Sequence, residues 1–165
     1  MTQRVRLAIA GYGLVGRRHG DAILQGSDAE LVAVIDPSEA GREQANQQGA
    51  ACFASLDEFL KTGGADGIIL ATPNALHVEQ AMACVKNGLP VLVEKPIATK
   101  SEEAEELVRS ARTCGVPLLV GHHRRHNPLI QTAKFLIDSG EIGSIRAIQA
   151  TCWFCLLYTS DAADD

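Results

Sequence analysis

The sequence has no long apolar run. Its longest ones, such as residues 67–71 and 118–120, are strand-sized, and none approaches the roughly 18 consecutive apolar residues that a membrane helix needs. A secretory leader is not seen either: Met1-Thr2-Gln3-Arg4 leads straight into the first apolar segment, and the chain reads as cytoplasmic. The five cysteines, Cys52, Cys84, Cys114, Cys152 and Cys155, are odd in number and scattered, with only Cys152 and Cys155 at a Cys-x-x-Cys spacing. One such pair, with no second pair to complete a four-ligand set, suggests neither a disulfide framework nor a zinc site, and reduced, buried thiols are the favoured reading. Cationic excess is missing, since the formal charge is −5, which disfavours nucleic acid and anionic lipid as partners. Aromatic residues supply only 4% of the chain, yet 46% hydrophobic and 21% charged residues are ordinary globular values and leave disorder and fibrous repeats aside.

What is present is a regular alternation of strand-like and helix-like segments. Strands are expected over residues 5–10, 31–35, 52–54, 67–70, 91–93 and 118–120, without the in/out alternation of half-exposed strands. The pattern predicts an α/β fold, a doubly wound Rossmann-like parallel sheet with crossover helices on both faces. Thr99 and Glu102 read as a capping box opening a helix whose apolar stripe is Ala104, Leu107, Val108 and Ala111. Gly88, followed by Pro90, should close the helix that begins at Asn74. Asn127 and Pro128 should open another helix, ended by Ser139-Gly140. Residues 145–154 then read as the first strand of a second sheet.

With 165 residues there is room for one complete domain and part of another. The expected division is residues 1–120 as the first domain, 121–154 as the first helix and strand of an incomplete C-terminal α/β domain, and 155–165 as a non-native tail. The last eleven residues resemble the in-frame translation of a library adapter; without their three aspartates the formal charge would be −2.

Gly11-Tyr12-Gly13-Leu14-Val15-Gly16 follows the first strand and opens the first helix. In that context a G-x-G-x-x-G is a dinucleotide fingerprint: Gly11 permits the tight turn, Gly13 the approach of a pyrophosphate, and Gly16 close helix–strand packing. The N–H groups at that helix start would face phosphate. Asp36 lies twenty residues after Gly16, at the end of the second strand. A carboxylate there accepts from both ribose hydroxyls and repels a 2′-phosphate by about 1–4 kcal/mol at about 4 Å, which favours NAD over NADP. Arg42 is a possible phosphate partner working the other way.

Ala71, Thr72, Pro73 and Asn74 follow the fourth strand at the ligand-binding edge, where Thr72 and Asn74 can bond the nicotinamide half; Asn74 also suits a helix cap, and His77 either a structural hydrogen bond or a ligand contact. Glu94-Lys95-Pro96 ends the fifth strand and puts Lys95 in the same cleft, where an ammonium can bond a substrate hydroxyl and help move its proton. Residues 121–128, Gly-His-His-Arg-Arg-His-Asn-Pro, read as a polar crossing segment; His122, His123 and His126 have no carboxylate or cysteine at a metal-ligand spacing, so no metal is expected.

These elements together, with Ser139-Gly140-Glu141-Ile142-Gly143, resemble the glucose–fructose oxidoreductase / inositol dehydrogenase (Gfo/Idh/MocA) superfamily over residues 4–154. The resemblance implies an NAD(P)-binding domain followed by a substrate and oligomerisation domain, a cis Lys95–Pro96 bond, and Lys95 as the catalytic-cleft lysine. It also implies Glu94 and His123 near the cofactor, Arg124 and Arg125 near the substrate, and hydride transfer between nicotinamide and a carbon of a sugar, polyol or related hydroxy compound. The superfamily's catalytic histidine, in an Asp-x-x-x-His pattern, has no counterpart in residues 1–154. Two other functions remain open at this level: a non-catalytic dinucleotide-binding sensor or structural protein, and a reductase of imines or enones on the same fold.

Overall fold

The computed structural model of the chain describes residues 3–151. Strands and helices alternate as β1 Val5–Ala10, α1 Leu14–Gln25, β2 Ala29–Ile35, α2 Glu39–Gln47, β3 Ala51–Phe53, α3 Leu56–Thr62, β4 Gly67–Leu70, α4 His77–Lys86, β5 Val91–Val93, α5 Ser101–Cys114, β6 Leu118–Val120 and α6 Pro128–Asp138. Short 3-10 turns occupy Asn74–Leu76 and His123–His126. These elements form two compact units that divide between Gly121 and His122.

The first unit is a six-stranded sheet in the order β3-β2-β1-β4-β5-β6, with every pairing parallel. Parallel neighbours need crossover helices, and successive side chains of a strand point to opposite faces, so both faces must be covered. Ile9, Val34 and Ile69 pack on one face with Tyr12, Ile23 of α1 and Ala45 of α2. Ala8, Ala10, Ile35, Ile68, Leu70 and Val93 pack on the other, against Phe59 of α3, Cys84 of α4 and Leu107 of α5. This two-sided burial is why the strands read as continuous apolar runs. The strand order reverses between β1 and β4, and the crevice beyond the carboxyl ends at such a reversal is where open α/β sheets take their ligands.

Several boundaries differ from the sequence expectation. β2 starts at Ala29 because its pairing with β1, Val5 to Ala29 and Arg6 to Glu30, continues past the apolar run. β3 ends at Phe53, where the Ala54 N–H turns to the Glu58 carboxylate at 3.2 Å. The capping box is not formed: α5 begins at Ser101 after an extended Lys100, whose ammonium offers no acceptor and instead pairs with Glu103 at 3.2 Å. The helix expected from Asn74 opens with a 3-10 turn and becomes α-helical at His77. Gly88, at φ +70°, does follow the end of α4.

In the second unit Asn127 caps α6 by accepting from the Leu129 N–H at 2.9 Å, with Pro128 in the first helical position. The strand expected over residues 145–154 does not form in 145–151, which pair with no other strand among the described residues. A strand is defined by its ladder partners, and an apolar pattern alone supplies none. Residues 152–154 and the expected tail 155–165 lie outside the described residues. No helix of the described residues is long and apolar enough to cross a membrane.

Candidate functional site

The end of β1 lies between the ends of β2 and β4. The Gly11 N–H donates to the Ile35 carbonyl at 2.8 Å, and the Ala71 N–H donates to the Ala10 carbonyl at 2.8 Å. The three motif glycines answer three different demands. Gly11 has φ +82°, and a Cβ there would come within 2.6 Å of the Ala71 carbonyl oxygen. At Gly16 a Cβ would overlap the Gly11 carbonyl. Gly13 has an ordinary φ of −72°, and a Cβ there would meet no protein atom within 4 Å. Neither backbone strain nor packing inside the chain accounts for a glycine at that position; a ligand close to the backbone does. Gly13 is also the N-cap of α1, with no side-chain cap bond, and the first helical turn lacks intrahelical partners for its N–H groups. The turn fits a pyrophosphate on these grounds. Leu14 and Val15, exposed in that same turn, flank it.

Asp36 is 8% exposed. Its Oδ2 accepts the Tyr12 N–H at 2.6 Å and its Oδ1 accepts the Ser38 N–H at 2.8 Å, so each oxygen keeps acceptor capacity for a ribose hydroxyl. Arg42, the residue that could have served a phosphate, donates through Nη1 to the carbonyls of Asp36 and Pro37, both at 2.7 Å. Sequence reasoning missed Gly41: a Cβ there would lie 2.9 Å from the Asp36 Cγ, so α2 approaches the carboxylate only because that residue is small.

The side chains of Tyr12 and His77 are both engaged inside the fold. The Tyr12 side chain is buried, with its hydroxyl donated to Gln48 Oε1 and its N–H donated to Asp36, so it supports the turn from below. Burial also raises the Tyr12 phenol pKa. His77 has no exposed surface, and its two ring nitrogens each lie 2.8 Å from a carbonyl oxygen, Nδ1 at Pro96 and Nε2 at Thr72. Its ring thus bridges the Ala71–Asn74 loop and the Lys95–Pro96 segment, the structural one of the two roles open to it. Thr72 donates its hydroxyl proton to Gln80 Oε1 at 2.6 Å, which leaves that oxygen as an acceptor. Pro73 and Asn74 are exposed, and Asn74 makes no cap bond.

At the end of β5 the Glu94 carboxylate takes the Lys95 N–H at 3.1 Å through Oε2 and the His19 Nε2–H at 2.9 Å through Oε1. His19, on the second turn of α1, was not foreseen from the sequence; its position three residues beyond Gly16 was the available signal. Gly121 belongs to the same cluster, since a Cβ there would come 2.7 Å from Glu94 Oε1. The Lys95–Pro96 bond is cis. Lys95 is exposed, and its ammonium makes no ion pair among the described residues. The glycine turn, Asp36, the Ala71–Thr72 segment, Glu94 and Lys95 thus share the carboxyl edge of one sheet. His123, Arg124 and Arg125 occupy the exposed 3-10 turn of the second unit. No group of three His, Cys, Asp or Glu side chains able to hold a metal occurs among the described residues.

The family described as GFO_IDH_MocA, an oxidoreductase family with an NAD-binding Rossmann fold, matches residues 5–122. The chain belongs to this family. It is 36% identical over 140 residues to a 4-carboxy-2-hydroxymuconate-6-semialdehyde dehydrogenase of a Sphingobium strain, covering 84% of this chain and 44% of that protein. An inositol 2-dehydrogenase of Rhodococcus erythropolis is 31% identical over 145 residues, covering 86% of this chain and 42% of that protein. Among solved structures, the WlbA dehydrogenase of Bordetella pertussis in complex with NADH and UDP-GlcNAcA superposes with a TM-score of 0.80 at 36% identity, covering 86% of this chain and 44% of that one. The Gfo/Idh/MocA chain described here spans less than half the length of these relatives.

Proposed function

We propose that this chain is the NAD-binding part of an oxidoreductase that moves a hydride between nicotinamide and a hydroxyl-bearing carbon of a sugar, polyol or related compound. The observation that carries the reading is Gly13, whose open side and uncapped helix start fit a pyrophosphate, with Asp36 drawn in beside it to take the ribose. The relatives support the substrate class: one is a polyol dehydrogenase, one a dehydrogenase of a carboxylated semialdehyde, and one was crystallised with NADH and a nucleotide sugar acid.

In this reading Gly11, Gly13, Leu14, Val15 and Gly16 form the phosphate turn, with Tyr12 beneath it. Asp36 holds the adenosine ribose, Ala71, Thr72, Pro73 and Asn74 border the nicotinamide half, and Glu94 sets the backbone of Lys95. When bound, NAD supplies the hydride acceptor. Lys95 is the catalytic residue of this half, donating a hydrogen bond to the substrate hydroxyl and helping to move its proton. His123 near the cofactor and Arg124 and Arg125 near an anionic or hydroxyl-rich substrate complete the assignment. Residues 1–120 and 121–154 are the cofactor domain and the start of a substrate domain, of a parent that assembles as a homo-oligomer in the cytoplasm. Titration of the chain with NADH, followed by nicotinamide fluorescence, tests the binding claim. Saturable binding, weakened at least about tenfold by replacing Asp36 with Ala, is expected, and no saturable binding would overturn it.

A further inference from the structure

We propose that His77 is a positioning residue that sets the nicotinamide end of the crevice by tying two site loops to one rigid ring. The proposal rests on the NAD-binding reading above and extends it to a residue that touches no ligand. The ladder between β4 and β5 stops where Leu70 pairs with Val93 and the Glu94 N–H donates to the Leu70 carbonyl. Beyond that point the two chains leave the sheet as the Ala71–Asn74 loop and the Lys95–Pro96 segment, and His77 takes over the connection. Its Nε2 lies 2.8 Å from the Thr72 carbonyl and its Nδ1 lies 2.8 Å from the Pro96 carbonyl.

An imidazole is planar, so two bonds from one ring fix the spacing of the two carbonyls as flexible side chains would not. The ring is fully buried at the start of α4, where buried backbone carbonyls require partners. Gln80, one turn further along α4, holds the Thr72 hydroxyl, so α4 grips that loop at two points. The distance between the loop bordering nicotinamide and the segment carrying Lys95 is thus set from behind the site, far from the adenosine half at β2.

The test separates the two halves of the cofactor. NADH and ADP-ribose, which lacks nicotinamide, are titrated by calorimetry into the 165-residue chain and into His77→Phe, His77→Gln and His77→Asn. Phe fills the volume without a donor, whereas Gln and Asn each keep an amide for one carbonyl. The expected result is NADH affinity about tenfold weaker in His77→Phe, partly restored in at least one amide variant, with ADP-ribose affinity within about twofold of the parent. Equal losses for both ligands in all three variants, or no loss for either, would overturn the proposal and leave His77 a core residue. A parent that binds ADP-ribose as tightly as NADH would also overturn it while leaving dinucleotide binding intact. A parent that binds neither ligand would contradict the NAD-binding reading, and the proposal would fall with it.

Discussion

The carboxylate of Asp36, at the end of β2, accepts the backbone N–H of Tyr12 at 2.6 Å, so one hydrogen bond joins the glycine-rich turn to the acid that we propose faces the ribose. In that reading the same group carries a structural and a binding duty. Replacing Asp36 by Ala should weaken NADH binding by at least about tenfold and narrow the preference for NADH over NADPH. It should also lower stability by about 1–3 kcal/mol, because the Tyr12 N–H loses its acceptor inside the fold. Paired titrations and thermal melts check both; a variant with unchanged cofactor preference would count against the ribose assignment.

Gly13 and Gly16 should fail in opposite ways. A Cβ at Gly13 meets no protein atom, so Gly13→Ala should keep its stability within about 1 kcal/mol while losing most NADH affinity. A Cβ at Gly16 overlaps the Gly11 carbonyl, so Gly16→Ala should cost roughly 3 kcal/mol of stability. Denaturant melts beside NADH titrations separate the two, and equal destabilisation of both variants would contradict the distinction.

How much of this was legible in the sequence follows from which contacts are local. The glycine turn, the six strands and Asp36 could be read because a strand–turn–helix unit carries its own signals within a few residues. His77 was left between two roles, because its partners, Thr72 and Pro96, meet it only once α4 is docked against two strand ends. His19 was missed for the same reason: its partner Glu94 lies 75 residues away. The Thr99 capping box matched its local pattern and still gave way to an extended Lys100. Residues 145–151 had an apolar pattern without a partner strand, and a strand needs both.

The thiol of Cys84 provides a pH-dependent check on the core. Complete burial in α4 pushes its pKa up from 9.0 to about 12. A pKa raised on folding means that the stabilisation is fully present below 9.0 and is lost as pH rises through the window from 9.0 to about 12, because the unfolded chain releases the proton first. Cys84→Ala should therefore flatten the fall of Tm with pH over that window. Identical alkaline limbs in parent and variant would show that the thiol is not buried as described.

For Lys95 the prediction concerns the full-length oxidoreductase proposed above. There, Lys95→Met should lower kcat by about 10²–10⁴-fold with little change in NADH affinity, as expected for a group acting on the substrate proton. The 165-residue chain alone should show no turnover with sugars or polyols. Hydride transfer needs donor and acceptor carbons held about 3–3.5 Å apart, and we place the opposite wall of that site in the half of the relatives that this chain does not span. Turnover by the chain at the rate of the full-length enzyme would place all of the chemistry within these residues.

The most direct test of the central claim is a side-by-side titration of the 165-residue chain with NADH and NADPH at one ionic strength. Saturable binding of both, tighter for NADH, with the difference reduced in Asp36→Ala, is the predicted result. Failure to bind either cofactor, or tighter binding of NADPH, would contradict it.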